Sequence, residues 1–246
     1  MQLDHFVVHV ENNPDKLKQV AIASAEAGIP FDPSKGKGTS GFRAANIWIG
    51  NQYFEIPWLK RPDGGGWRED WVDLYNKGER GTFCIFLGTD DLDGIKKRLK
   101  GQGIIANEDK VSFKIFGLFK KTMPWTTLHL PRLPGTNIEI SFIQYEEGVV
   151  EKWISKMQPN AKENGFKGVF DCRLEIPNFE QCKNFISSVF PHAEVRAEAV
   201  NVSLKPGQMI FKKGVVPHID LFAKSENPDY IGKQFSLEDV TVSVVH

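Results

Sequence analysis

Along the chain, short runs of alternating apolar residues give way three times to stretches with apolar positions three and four apart. Leu3–Val10 leads into such a stretch near Asn13-Pro14, Thr82–Leu87 into one at Asp90-Asp91, and Val169–Ile176 into one at Pro177-Asn178. Period two marks strands and period 3.6 marks helices, so each copy predicts a strand followed by a helix. The first helix has Asn13 as N-cap, Pro14 at its first position, Leu17, Val20, Ala21 and Ala25 as its apolar stripe, and Gly28 just past its end. The second carries Leu92, Ile95 and Leu99, and the third Phe179, Cys182, Phe185, Ile186 and Val189. In the first strand, Phe6, Val8 and Val10 are the natural partners of the helix stripe, with Asp4 on their face. Leu3, His5, Val7 and His9 then share the opposite face.

Further strands follow each helix. They are expected at Ala44–Ile49 and Gln52–Trp58 after the first, and at about Val111–Phe119, Trp125–Leu130 and Asn137–Tyr145 after the second. After the third they are expected around Val200–Leu204, His218–Ala223 and Val240–Val245. A loop over residues 59–80 carries a short helix around Glu69–Asn76, and the polar stretch after Tyr145 reads as a connector. The pattern predicts an α+β fold of tandem βαβββ modules. Two modules pair into a curved mixed-sheet cup over residues 1–147, a connector spans 148–167, and a third module is appended over 168–246.

Composition narrows the classes. Among 246 residues, 31 Lys and Arg balance 31 Asp and Glu, so no electrostatic drive toward nucleic acid or an anionic membrane is expected. No apolar run approaches the roughly 18 residues of a membrane span, and the amino terminus lacks the basic and apolar regions of a signal peptide. Three widely spaced cysteines, Cys84, Cys172 and Cys182, imply no disulfide framework. A soluble, cytoplasmic protein follows as the expectation, with a small-molecule substrate and a homodimer as its partners.

Strand–helix–three-strand modules in tandem, with a histidine in the first strand, resemble the vicinal oxygen chelate superfamily, and most closely its glyoxalase-like domain family. The likeness rests on Leu3-Asp4-His5 at the opening, Gly38-Thr39 and Asn46, and Tyr53-Phe54-Glu55-Ile56 at the end of the module. The chain departs by placing Ser40–Ala45 between the threonine and the asparagine. The resemblance implies a metal held between the paired modules by the first and last strands of each. Carried over position by position, those sites are His5, Glu55, Cys84 and Glu139. Cys84 stands six residues before Asp90 as His5 stands six before Glu11, and it replaces the histidine of metal-binding relatives. Such a set implies Zn²⁺, Ni²⁺, Mn²⁺ or Fe²⁺ as cofactor and a substrate with two adjacent oxygens, with Glu139 as catalytic base.

Each residue also has a plainer reading. His5 could line the cup hydrogen-bonded to a carboxylate, Cys84 could be a small buried hydrophobe, and His9 could be structural. Glu139, between Ile138 and Ile140, must face water or a partner. His218 and Asp220 share one face of a strand and read as a surface pair. Lys35, Lys37 and Arg43 would meet an anionic ligand from the glycine-rich loop, and Trp48, Tyr53 and Trp125 would wall an apolar pocket. The segment Phe113–Lys121 reads either as a flap over the cup or as an edge strand guarded by lysines. The leading expectation is a glyoxalase-like metal-dependent isomerase or lyase. The alternatives are a metal-free small-molecule binding protein in the same cup, and a structural module that has lost its ligand.

Overall fold

The computed structural model describes residues 1–115 and 119–246, and the side chains of 113–121 are not considered. Its first half contains β1 (Gln2–His9), α1 (Pro14–Glu26), β2 (Lys37–Gly38), β3 (Phe42–Ile49), β4 (Gln52–Leu59), α2 (Glu69–Asn76), β5 (Gly81–Gly88) and α3 (Leu92–Gly101). Next come β6 (Asn107–Asp109), β7 (Ser112–Ile115), β8 (Phe119–Thr122), β9 (Trp125–Arg132), β10 (Glu139–Tyr145) and α4 (Val149–Ile154). The second half contains β11 (Phe166–Ile176), α5 (Phe179–Val189), β12 (Glu194–Val195), β13 (Ala199–Ser203), β14 (Gln208–Lys213), β15 (His218–Ser225), β16 (Gln234–Leu237) and β17 (Val240–Val245).

Eight strands form the first sheet in the order β2-β3-β4-β1-β5-β10-β9-β6. At its centre β1 runs parallel to β4 and antiparallel to β5, which in turn runs parallel to β10. Two βαβββ modules are thus joined edge to edge through β1 and β5, as the sequence pattern predicts. The second sheet, β12-β13-β14-β11-β15-β17-β16, repeats the scheme: β11 is parallel to β14 and antiparallel to β15, and β15 is parallel to β17. The third module therefore has a partner of its own. In that partner a 3-10 turn at Pro228–Tyr230 stands where the other modules have a helix. β7 and β8 form a separate two-stranded antiparallel ribbon, and the strand expected at Val111–Phe119 falls on both of them. The flap reading of Phe113–Lys121 falls on side chains outside the described set.

One apolar core gathers the helix-facing sides of both sheets, with Phe6, Phe54, Phe142, Phe166 and Phe211 fully buried in it. Each such side chain contributes about 1.5–3 kcal/mol by leaving water. Phe54 meets Phe235 and Phe142 meets Phe190, so the sheets share this core back to back. Helix α1 lies against β16. It begins as predicted, with the Asn13 side chain accepting from Asp15 N at 2.9 Å and Pro14 at the first position. Gly28 closes it at φ +82°, where a Cβ would lie 2.5 Å from the Tyr230 ring. No helix among the described residues is long and apolar enough to cross a membrane.

A β-bulge decides what the open face of the first sheet carries. Leu3 pairs with Leu87 and His5 with Phe86, leaving Asp4 as the extra residue in β1. Strict alternation would group Leu3 with His5. The bulge instead sends Leu3 into the helix-side core and turns Asp4 toward His5. β11 carries the same irregularity between Val169 and Asp171.

Connections between the halves are polar, one of them buried and one half-buried. Asn160 Oδ1 accepts from Gly50 N at 3.0 Å while its Nδ2 donates to Gly50 O at 2.8 Å. Asp239 accepts from Thr82 N at 2.8 Å and from its hydroxyl at 3.0 Å. Replacing Asn160 by Ala strands both Gly50 backbone groups, so we expect a loss of about 2 kcal/mol in urea denaturation. An unchanged midpoint would show that water replaces the side chain at no cost.

Candidate functional site

The face of the first sheet turned away from α1 and α3 has two registered rows. One runs Tyr53, His5, Phe86, Ser141, His129 across β4, β1, β5, β10 and β9. The next runs Glu55, Val7, Cys84, Glu139. The position in line with Glu55, Cys84 and Glu139 is thus Val7, and His5 lies one row over. This is the physical reason that the four residues carried over from the resemblance do not converge. Among the described residues, one group of three has ligand-type atoms all within 4.8 Å of one another, namely Cys84, His129 and Glu139.

Arg68 sits on that group. It is the residue immediately before α2, and all five of its N–H donors are used. Nη1 reaches Glu139 Oε1 and His129 Nδ1, each at 2.6 Å, and Nη2 reaches Glu139 Oε2 at 3.2 Å. The remaining donors go to Asp70, Nε at 3.1 Å and Nη2 at 2.8 Å. Burial works against the guanidinium charge, but Glu139 and Asp70 outweigh it and hold the pKa above its ordinary value. Its Cζ lies 4.5 Å from the centre of the Trp71 ring. Arg68 can only donate, so a bond to His129 Nδ1 puts the ring proton on Nε2, 3.0 Å from Thr127 Oγ1, while Glu139 Oε1 also lies 3.0 Å from Nδ1. Ser141 Oγ lies 2.8 Å from His129 Nδ1 and accepts from Cys84 Sγ at 3.2 Å.

These residues do not fit a metal ion as arranged. The guanidinium spans both oxygens of Glu139, which is only 2% exposed, and takes the lone pair of His129. Burial, reinforced by the Glu139 charge, pushes the Cys84 thiol well above its usual pKa and keeps it protonated. Glu139 is the carboxylate with a partner that its place between two isoleucines requires, and that partner is an arginine.

The His5 end is built differently. The ring is stacked between Tyr53, 4.5 Å between centroids and 7° between planes, and Phe86, at 4.2 Å and 14°. Its Nδ1 bonds to Asp4 Oδ1 at 2.6 Å, and the same oxygen accepts from the Tyr145 hydroxyl at 2.9 Å. Glu55 is partly exposed and makes no side-chain hydrogen bond among the described residues. Burial raises its pKa, with His5 opposing the shift. Trp48 lies 4.3 Å from Tyr53, and Trp125 packs on Tyr145 and Trp153, so the three aromatic residues expected to wall a pocket surround this end.

The expected anion-binding residues are elsewhere. Arg43 is spent on its own loop, its Nε donating to Gly36 O at 2.9 Å and Nη2 to Ser34 O at 2.5 Å. Lys35 and Lys37 are exposed, Lys37 in the edge strand β2, three strands from β1. His218 and Asp220 do pair, at 3.2 Å, on the second sheet. The sequence reading missed Asp4, Arg68 and His129. His129 carries a readable signal, since it alternates with Leu128 and Leu130 on the face of Thr127.

Between α2 and the end of β1, His9 is fully buried among Trp67, Tyr75 and Phe83, with neither ring nitrogen hydrogen-bonded. Trp71 Nε1 is buried and unpartnered beside it. Burial, with help from the Arg80 charge, lowers the His9 pKa from 6.5 to about 2.

The chain is thus an α+β protein built from paired βαβββ modules. Over 99% of both chains it superposes on a hypothetical protein from Staphylococcus aureus, with a TM-score of 0.67 at 15% identity. That likeness establishes the fold alone. Structural neighbours include methylmalonyl-CoA epimerases. The Mycobacterium tuberculosis enzyme aligns over 61% of this chain and 91% of its own, at 13% identity and a TM-score of 0.43. A variant from Streptomyces coelicolor in complex with 2-nitronate-propionyl-CoA aligns over 61% and 96%, at 16% and 0.42. No family model matches the chain, and no curated protein matches it.

The buried neutral His9 makes stability depend on pH. Its folded pKa lies below the unfolded value of 6.5, so no cost arises above pH 6.5. Below it the unfolded chain takes up the proton first, and stability falls by about 1.4 kcal/mol per pH unit. We expect His9→Phe to flatten the decline between pH 6.5 and 4.5 in urea denaturation. Parallel slopes in the two proteins would exclude His9 as the source.

Proposed function

We propose that the cup of the first sheet binds a small planar organic molecule at its His5 end and does so without a metal ion. The observation that carries this reading is the Arg68–Glu139 pair, which leaves the metal-type group with no free carboxylate or imidazole lone pair. The rim supports it. Trp48, Tyr53 and Trp125 offer flat apolar surface, and Glu55 brings a carboxyl that burial biases toward its protonated, donating form. A ligand with adjacent oxygens suits such a rim, one oxygen on the Glu55 proton and the other on the free edge of His5.

One feature favours a catalytic version of this reading. Asp4 fixes the orientation of His5 through Nδ1, leaving Nε2 as a base beside an acid, Glu55. His5 would take a proton from the carbon next to a carbonyl while Glu55 gives one to the carbonyl oxygen. From a 2-hydroxy carbonyl compound the product is the enediol tautomer, and return of the proton from His5 to Glu55 restores the pair, so the isomerisation balances with no further reagent. The metal-dependent isomerase or lyase of the same fold would need donors that Arg68 holds.

Two measurements test the proposal. Equilibrium dialysis against Ni²⁺, Mn²⁺ or Zn²⁺ is expected to leave far less than one ion per chain. A stoichiometric ion lost in Glu139→Ala would overturn the metal-free reading. Catechol and phenylglyoxal hydrate, as aromatic probes with adjacent oxygens, are expected to raise the melting temperature of the wild type, and His5→Ala and Glu55→Gln to lose the shift. Probes that shift neither wild type nor variants would count against a ligand at the rim.

A further inference from the structure

The strap between the two modules of the first sheet behaves as a ligand that the chain supplies to itself. Residues 62–79 carry α2 across the floor of the cup. Among the described residues its backbone hydrogen bonds reach no further than Arg61 and the strap itself, from Gly64 N to Arg61 O through Glu79 N to Leu74 O. Side chains hold it down: Arg68 on Glu139 and His129, the Tyr75 hydroxyl on Val10 O at 3.2 Å, Arg132 on Asp70 at 3.4 Å, and Asn137 on Glu79 at 3.0 Å. Both ends turn on glycines in the left-handed region, Gly66 at φ +91° and Gly78 at φ +86°, and neither would meet a neighbour with an added Cβ.

Closure leaves polar groups unsatisfied. Both ring nitrogens of His9 and Nε1 of Trp71 are buried without a partner, although His9 is 0% and Trp71 5% exposed. Lifting the strap would give all three to water or to a ligand, so the closed state is opposed by its own desolvated groups. It would also uncover Glu139, whose charge has to be met by a cation at that depth. What the strap places there is specific: a planar forked cation, the Arg68 guanidinium, lying on a flat apolar ring, the Trp71 indole, which meets His129 edge-on at 6.1 Å.

We propose that this strap is a displaceable lid and that the floor beneath it, made by Val7, Phe86, His129 and Glu139, is a binding site for a small aromatic cation of the amidine or guanidine class. The ligand's fork replaces Arg68 on Glu139 and its ring replaces Trp71 against His129. A neutral aromatic molecule would leave Glu139 uncompensated, and an anion would be repelled. The site adjoins the His5–Glu55 rim at Phe86, which stacks on His5, and does not rest on the function proposed there.

Benzamidine is the probe, titrated calorimetrically into the wild-type protein, with benzamide as its neutral counterpart. Because an internal ligand lowers apparent affinity by the closed fraction, removing it strengthens binding. Benzamidine should bind Arg68→Ala at least tenfold more tightly than wild type, fail to bind Glu139→Gln, and exceed benzamide in both wild type and Arg68→Ala. Equal affinity for wild type and Arg68→Ala, binding that survives Glu139→Gln, or equal binding of benzamide overturns the proposal. Hydrogen exchange on the wild type gives a readout that needs no variant. Benzamidine should speed exchange of the α2 amides, residues 69–76, at least threefold while leaving β5 unchanged. Exchange unaltered by saturating benzamidine overturns the lid. Glu55→Gln should leave benzamidine binding intact, which separates failure here from failure of the rim site.

Discussion

The contact on which the cup depends is the fork of Arg68 on Glu139. A carboxylate this deep in a sheet is costly unless a positive group meets it, and breaking such a pair by removing one side typically costs about 3–5 kcal/mol. The guanidinium meets both oxygens and simultaneously fixes the His129 tautomer, so one side chain satisfies the most polar part of the floor. Because Arg68 also precedes α2 directly, the same contact fastens the strap. Trp67, Trp71, Leu74 and Tyr75 are then laid over His9, Phe83 and Cys84. Charge compensation and closure of the cup are a single event.

The second constraint is register. In a parallel pair such as β1 and β4, which side chains share a row follows from the hydrogen-bond pattern, and a shift of one residue moves a side chain to the other face. The bulge at Asp4 permits Leu3 to join the helix-side core while His5 keeps its place on the open face. Asp4 then becomes the nearest hydrogen-bonding partner of the imidazole. The register of the following residues puts Val7 in line with Cys84 and Glu55. His5 is consequently assigned to the aromatic row with Tyr53 and Phe86, and the polar floor divides into two separate clusters, one around Asp4 and one around Glu139.

This explains what could be read from sequence. The helices α2 and α5 fall where they are expected, at Glu69–Asn76 and Phe179–Val189, the latter because its apolar stripe lies within a dozen residues. The module order follows from the same local patterns. Strands β14 and β16 were not anticipated. Phe235 and Leu237 give β16 only one alternation in four residues, and the partners that make it a strand come later in the chain. Glu139 was recognisable as functional or paired from its two isoleucine neighbours. Arg68 was not, since its contact spans 71 positions and depends on where a glycine-rich loop comes down. Asp4 was placed on the wrong face because strict alternation cannot anticipate a bulge.

The two sheets make the role of the strap plain by contrast. Both have the same parallel and antiparallel pairing and the same bulge near the start of the central strand. On the second sheet no strap crosses the corresponding face among the described residues. The positions in register with Val7 and Cys84 on the first sheet are held on the second by Arg173 and Asp220. There Arg173 is exposed over the Phe222 ring at 4.4 Å, Asp220 pairs with His218, and Lys212 bonds Glu175 at 2.9 Å. Charges that stay in water need only weak local pairing, so that face tolerates a mixture of signs with no covering element. The first sheet buries its charges, which requires a partner of matching shape delivered from outside the sheet. An insertion between β4 and β5 long enough to carry α2 is what allows a carboxylate to sit in the middle of that floor. The buried glutamate and the strap are each destabilising without the other.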